Sequence, residues 1–357
     1  MNIAIIGAGN SGSALAADYA GRGHCVTLIK SSHSVHEEHF QFLQEHNGEM
    51  ILEEAGVFRH CRVSRLSRSF ADVRGQDLVI LCTQSVYHRY ILKDLLRELC
   101  AGQILLINPG YLSTAYVLDI SHPDGLILAE SESNFIDGRL VEPGHFRAGF
   151  RNVRNPIGVY PSAETASVLE KLNTLGTPFT PLGSVVEAAL HNPNMIVHTV
   201  GSLMSLPRIE SGDPDFCMYH EAFTPSVWRI LEALDQEKMD ILAALGAKRL
   251  PYVEACKFRN SLDDTLDART VFFDYAGMPT RAKGPFSVES RYITEDVSQG
   301  LVLLESLGQA LALPTATATA LITIACAALG RDLRKSGRSV ENLGKEALQR
   351  ILADATS

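Results

Sequence analysis

Two polar side chains four residues apart, Asn194 and His198, flank the apolar run Met195, Ile196 and Val197. That spacing puts both on one face of a helix, one above the other. Inside a buried helix such a pair needs partners, because an unsatisfied buried polar group costs about 1–3 kcal/mol. An imidazole titrates near neutrality, so His198 could donate and accept a proton during a reaction. A lone helical histidine is more often a satisfied core residue, and the spacing alone leaves both readings open.

A second constellation is Gly7, Gly9 and Gly12, a GxGxxG that follows the uncharged apolar run Asn2 to Ile6. Each glycine has a mechanical reason to lack a side chain. Gly7 suits a tight turn, Gly9 lets backbone approach a pyrophosphate, and Gly12 lets helix and strand pack closely. A helix is expected from about Ser11 to Gly21, with Leu15, Ala16, Tyr19 and Ala20 at helical spacing, and a second strand from Cys25 to Ile29. Gly7, Gly9, Asn10, Ser11 and Gly12 are therefore expected to hold the phosphates of a dinucleotide at a helix N-terminus. An NAD site usually carries an acid at the end of that second strand. Lys30, Ser31, Ser32 and His33 stand there instead, which suits a 2′-phosphate and favours NADP, with NAD as second choice. His33, His36 and His39 recur every three residues. No cysteine or carboxylate set completes a metal site around them, so a solvated helix face is expected and no metal.

The elements that must position these groups follow from apolar patterning. Leu78 to Thr83, Gln103 to Ile107 and Leu126 to Ala129 read as buried strands. In an open parallel sheet, ligands gather outside the carboxyl ends of the strands. Thr83 to Ser85, Asn108 to Gly110 and Glu130 to Asn134 are thus expected around the nicotinamide end of a cofactor, with ordinary loop chemistry as the alternative for each. His36 to Ala55 reads as helical or irregular. Phe150 to Leu182 adds strand and one helix, Glu164 to Leu175. Beyond Ser184 helical periodicity takes over, with Asn192–Pro193 and Thr224–Pro225 opening helices and Gly246 closing the second. Residues 259 to 288 read as loop with short helices. Helices resume from Val297 to Leu311, after Pro314, and from Ser339 to Leu352. The expected fold class is α/β. Residues 1–184 form a Rossmann-type, doubly wound dinucleotide-binding domain, and residues 185–357 a mainly α-helical one.

At 357 residues, 46% apolar and 20% charged, the composition is that of an ordinary folded protein of two domains. The net charge of −9 argues against a general nucleic-acid surface. The cluster Arg331, Arg334, Lys335 and Arg338 reads as a solvated turn. Seven scattered cysteines without CxxC spacing read as reduced core thiols in a cytosolic protein. With a strand expected at the N-terminus, no signal peptide is expected. Ala316 to Leu329 is shorter than a membrane span and reads as a buried helix. A cytoplasmic protein acting on small molecules is expected, with no nucleic-acid or membrane partner and a homodimer left open.

Four segments together carry a family resemblance: Asn194 to His198 (NMIVH), Arg291 to Gly300 (RYITEDVSQG), the turn Asn108 to Gly110, and Asp332 to Gly344 (DLRKSGRSVENLG). In this order they resemble the opine dehydrogenases, such as octopine and nopaline dehydrogenases and the bacterial carboxyethyl-norvaline dehydrogenase. The similarity runs over essentially the whole chain. It implies a Rossmann-type first domain, a helical second domain, and NAD(P)H-dependent reductive condensation of an amino acid with a 2-oxo acid through an imine. It further implies that His198 is the catalytic histidine, Asp296 the carboxylate paired with it, and Asn194 the helix-borne asparagine. Arg291, five residues before Asp296, could fork onto a substrate carboxylate or make a surface ion pair. Asp296 near a helix start is favourable by about 0.3–1 kcal/mol without any catalysis. Two departures stand out: Thr199 where the family often has proline, and Lys30 with Ser31 where the bacterial NAD enzymes carry an acid. Reduction of a 2-oxo acid without the amine, as in ketopantoate reductases or glycerol-phosphate dehydrogenases, would rely on a helix-borne lysine. None occurs between Lys171 and Lys238. A non-catalytic dinucleotide sensor would bind cofactor without turnover.

Overall fold

The computed structural model describes residues 1–32 and 35–356. The chain divides into two compact units, Met1–Val185 and Val186–Ser357.

The first unit contains twelve strands among its described residues. The early ones are β1 (Asn2–Ile6), β2 (Cys25–Ile29), β3 (Glu49–Glu54), β4 (Val57–Arg62), β5 (Arg65–Ser67) and β6 (Leu78–Leu81). The later ones are β7 (Ile104–Ile107), β8 (Ile127–Ser131), β9 (Ile136–Glu142), β10 (His145–Arg151), β11 (Asn155–Tyr160) and β12 (Phe179–Pro181). Its helices are α1 (Asn10–Gly21), α2 (Glu37–Glu45), α3 (His88–Leu95), α4 (Thr114–Ile120) and α5 (Thr165–Asn173). Eight strands form one sheet in the order β12-β11-β8-β7-β6-β1-β2-β5, parallel from β8 to β5, with β11 antiparallel to β8. The central strands β6 (LVIL) and β7 (ILLI) are buried at every position. Strands covered on both faces need such unbroken apolar runs. From β1 the chain passes first to β2 on one side and later to β6 on the other. The topological switch point, where ligands bind in such sheets, therefore lies between β1 and β6.

A second sheet, ordered β4-β3-β10-β9, covers the other side of α1. This corrects the reading of His36 to Ala55 as helical or irregular, since β3 occupies Glu49–Glu54. Between two sheets, α1 has no solvent face: Gly12 through Tyr19 are all buried. An all-round buried helix has no reason to be amphipathic. Its one buried charge, Asp18, accepts two 3.0 Å bonds from Arg151 of β10 and also pairs with Arg22. Paired guanidinium groups offset the cost of burying that carboxylate.

The second unit is helical. After α6 (Val185–Leu190) come α7 (Pro193–Leu203), α8 (Leu206–Glu210), α9 (Met218–Glu221), α10 (Pro225–Ala244), α11 (Tyr252–Asn260) and α12 (Ala268–Ala276). Then follow α13 (Arg291–Thr294), a π-helical segment Asp296–Leu301, α14 (Val302–Leu311) and α15 (Ala316–Leu329). The chain ends with α16 (Leu333–Ser336), α17 (Val340–Leu343) and α18 (Lys345–Ala355). Phe223, Trp228, Tyr252 and Phe272 form an aromatic core of edge-on and tilted pairs.

Several expectations need correction here. Arg338 is no solvated residue: it is fully buried and donates from Nε to Gln299 Oε1 at 2.9 Å. Arg334 is bonded to Glu305 through two nitrogens. All seven cysteines are free thiols, but only Cys82, Cys217 and Cys256 are buried. Helix α15 buries one face, with Ala318, Leu321, Ile322 and Ala325 inward and Thr319, Thr323 and Ile324 exposed. Among the described residues no single helix is long and apolar enough to cross a membrane.

Candidate active site

At the switch point, β1 is followed by Gly7, whose φ of +112° disfavours any side chain. A Cβ there would lie 2.7 Å from the Cys82 carbonyl oxygen, and one at Gly12 would lie 1.8 Å from the Gly7 carbonyl oxygen. The turn is therefore packed too tightly for any residue but glycine. Gly9 caps α1 without a side-chain hydrogen bond, so the first N–H groups of the helix remain available to an anion. The flanking side chains turn toward the second sheet. Asn10 Oδ1 accepts from the Leu140 N–H at 2.8 Å, and Ser11 Oγ donates to Asn134 Oδ1 at 2.7 Å. Thr83 follows β6, and its Oγ1 is buried without a partner among the described residues. Its carbonyl and the Ser113 hydroxyl lie 3.0 and 2.7 Å from the ring nitrogens of the buried His88. Helix N-terminus, glycine cradle and orphaned hydroxyl fit a dinucleotide.

The end of β2 is less open than its sequence suggested. Lys30 is 3% exposed, donates to the Val35 carbonyl at 2.6 Å and lies 3.7 Å from Glu37. Burial lowers its pKa. The ammonium thus braces the loop after β2, while Ser31 is half-buried. His39 is buried between Ser13 Oγ and the Gly144 N–H, each 3.0 Å away, so it does not lie on a solvated face. Desolvation lowers its pKa to about 4. His36 is exposed and His33 lies outside the described residues. Among the described residues no group of three potential ligands could hold a metal. Glu130, read as part of a loop, lies within β8, and its carboxylate accepts from the N–H groups of Leu112 and Thr114 at 2.8 and 2.6 Å. It fastens the start of α4.

In the second unit, Asn192 opens α7 by accepting from the Asn194 N–H at 3.0 Å, with Pro193 in the first turn. The helix continues through Thr199, whose hydroxyl bonds back to the Met195 carbonyl at 2.5 Å. No proline is needed after His198 for α7 to persist to Leu203. His198 is brought to Asp296 across 98 residues of chain, Nδ1 to Oδ2 at 2.8 Å, with both side chains buried. Asp296 begins the π-helical segment, an irregularity that often marks functional positions. The other nitrogen, Nε2, lies 3.1 Å from the Tyr219 hydroxyl. Tyr292 stacks on the imidazole with ring centres 3.6 Å apart and planes 10° from parallel.

Burial lowers the His198 pKa, while Asp296 works in the opposite direction and Arg291 and Arg281 assist the lowering. In its neutral form the ring can donate from Nδ1 to the Asp296 carboxylate and accept at Nε2 from the phenol. Burial raises the Tyr219 pKa well above 10, so that phenol keeps its proton. A buried imidazole held by a carboxylate in this way can support acid–base chemistry. Arg291 is about half exposed and its guanidinium lies 3.8 Å from Glu295. The half-buried Asn194 side chain makes no hydrogen bond among the described residues. Tyr219 and Tyr292 escaped the sequence reading. Tyr292 stands inside the quoted segment RYITEDVSQG, whereas no local pattern marks Tyr219.

Residues 181–329 match the family described as NAD/NADP octopine/nopaline dehydrogenase, alpha-helical domain. An opine dehydrogenase of Arthrobacter sp. (strain 1C) is 26% identical over 352 residues, covering 97% of this chain and 95% of that one. A structure of octopine dehydrogenase solved with NADH and L-arginine shares the fold at a TM-score of 0.76, with 17% identity over 98% of this chain and 97% of that one. A yersinopine dehydrogenase with bound NADP⁺ shares it at 0.72, with 15% identity over 100% of this chain and 98% of that one. The helical part of the chain thus matches the octopine/nopaline dehydrogenase model, and the chain as a whole is similar to an opine dehydrogenase along nearly its full length.

Proposed function

We propose that this protein condenses the amine of an amino acid with a 2-oxo acid such as pyruvate and reduces the resulting imine, with NADPH preferred over NADH. The observation that carries the chemistry is the 2.8 Å bond from His198 to Asp296 in a buried setting. An amino acid carries an ammonium group near neutral pH and must lose a proton before it can attack a carbonyl. The carbinolamine so formed must then gain a proton on its hydroxyl to lose water. A single imidazole can serve both steps if it is neutral at the start. His198 meets that condition because burial lowers its pKa. Asp296 holds Nδ1–H and stabilises the imidazolium between the two transfers. When bound, NADPH supplies the hydride that reduces the imine carbon. Asn194 and Arg291 are assigned to the substrate; the guanidinium fork of Arg291 matches a carboxylate.

The backbone of Gly7, Gly9, Asn10, Ser11 and Gly12 would hold the pyrophosphate, with Thr83 toward the nicotinamide. The NADP preference rests on Ser31 and on Lys30 replacing the acid of an NAD site; with the Lys30 ammonium donating to the Val35 carbonyl, the hydroxyl of Ser31 is the group offered to a 2′-phosphate. Ser31→Asp should reverse it by placing a carboxylate where the 2′-phosphate would sit. A reducing cytosol suits the seven free thiols.

The test is a matrix of amino acids against pyruvate, glyoxylate and 2-oxoglutarate, following NADPH and NADH consumption and identifying products by mass spectrometry. Consumption that needs both partners and yields an N-(1-carboxyalkyl) amino acid supports the proposal. Equal consumption with the oxo acid alone, or none with any pair, overturns it.

A further inference from the structure

The catalytic nitrogen of His198 is already occupied. With Nδ1–H committed to Asp296, Nε2 has one in-plane lone pair, and the Tyr219 hydroxyl lies on it at 3.1 Å. The face of the ring is covered by Tyr292. A substrate can meet Nε2 directly only if Tyr219 moves, and Tyr219 is well fixed. The Arg281 guanidinium lies 4.1 Å from the centre of its ring and 4.3 Å from that of Tyr275, which itself stands edge-on to Tyr219. Its helix α9 is tied down by the Met218 N–H donating to the Gly284 carbonyl at 3.0 Å. A phenol oxygen that donates to Nε2 still has lone pairs to offer a second group.

We propose that the Tyr219 hydroxyl, rather than the imidazole, touches the reacting amine and carbinolamine, and relays protons between them and His198 Nε2. The inference rests on the reductive condensation proposed above. In the first transfer an N–H bond of the substrate ammonium breaks and its proton joins the Tyr219 oxygen, while the phenol's own proton passes to Nε2. The electron pair of the broken bond stays on the amine nitrogen, which attacks the carbonyl carbon; the π pair moves to the carbonyl oxygen, and that oxygen takes a proton from the new C–N nitrogen to give the neutral carbinolamine. In the second transfer the Nε2 proton returns to the phenol oxygen as the phenol proton goes to the carbinolamine hydroxyl. That C–O bond breaks, water leaves with its electron pair, and the nitrogen lone pair closes the C=N bond of the protonated imine. Each transfer passes straight through the phenol, so no free phenolate accumulates.

Tyr219→Phe removes the relay and keeps the ring, whereas a difluorotyrosine at position 219 keeps a hydroxyl of altered acidity. Both are assayed as holoenzymes beside His198→Ala, with cofactor affinity and circular dichroism as controls on folding. The relay predicts a loss of about 10²-fold or more in kcat for the phenylalanine variant. It also predicts substantial rescue by difluorotyrosine, with the pH profile of kcat/KM displaced. Turnover in Tyr219→Phe close to that of the parent, beside an inactive His198→Ala, overturns the relay and leaves the condensation reading intact. Failure of both Tyr219 variants to turn over assigns the side chain to packing and likewise overturns it. If the parent enzyme turns over no amine and oxo acid pair, the condensation reading fails and the relay falls with it.

Discussion

Replacing Asp296 by asparagine keeps the shape of the site and removes its charge. The bond lost in strength is 2.8 Å long and joins two buried side chains. A hydrogen bond to a charged group contributes about 1.5–3 kcal/mol, which corresponds to roughly 10- to 150-fold in rate if it is realised only when His198 becomes imidazolium. The asparagine can also turn its NH₂ toward Nδ1 and force the imidazole proton onto Nε2. In a serine protease triad the same substitution lowers kcat by about 10⁴ through the wrong tautomer. The expected loss in kcat therefore starts near tenfold and extends to about 10⁴, with the cofactor dissociation constant little changed. The pH dependence has a definite sign. Asp296 is the group that raises the His198 pKa against burial, so removing its charge lowers that pKa further. The limb of the kcat/KM profile that reports the imidazole should move to lower pH. Steady-state rates across pH, with NADPH titrated separately, make the comparison. An unchanged kcat together with an unmoved limb would refute the argument that the carboxylate orients and charges this ring.

Two further perturbations test the first unit. Gly12→Ala puts a Cβ within 1.8 Å of the Gly7 carbonyl oxygen, so the turn must open; a fluorescence titration should show weakened NADPH binding, and an unaltered affinity would contradict the tight packing. His39 titrates at about 4 when folded against an ordinary 6.5. The unfolded chain then takes up a proton that the folded chain refuses between these values, so the stability from this group is complete above 6.5 and falls as pH drops toward 4. Between pH 7 and pH 5 the loss amounts to about 2 kcal/mol. Urea unfolding of His39→Gln should show a decline smaller by about that amount, and equal slopes for both proteins would contradict it.

What the sequence revealed was the part governed by local mechanics. Gly7, Gly9 and Gly12 announce a turn because each must lack a side chain for a nearby reason, and Asn192–Pro193 announces a helix start in the same way. The second sheet was hidden because its strands are half solvated and charged, as in EMILEE and VFRHCR; their register comes from pairing with one another and with α1. Arg338 misled for a related reason. An arginine is ordinarily solvated, and only the folded chain supplies the buried Gln299 that accepts from it. The pairing of His198 with Asp296 was accessible through family resemblance, since no local rule connects residues 98 apart. Tyr219 had no such signal, because a tyrosine on a four-residue helix looks like any other.

The most direct test of the account is the turnover of His198→Ala with an amine and oxo acid pair that the parent enzyme accepts. Removing a general acid and base should lower kcat by about 10²- to 10⁴-fold while NADPH affinity stays near the parent value. Full turnover in that variant, with cofactor bound as before, would contradict the assignment of the acid–base chemistry to His198.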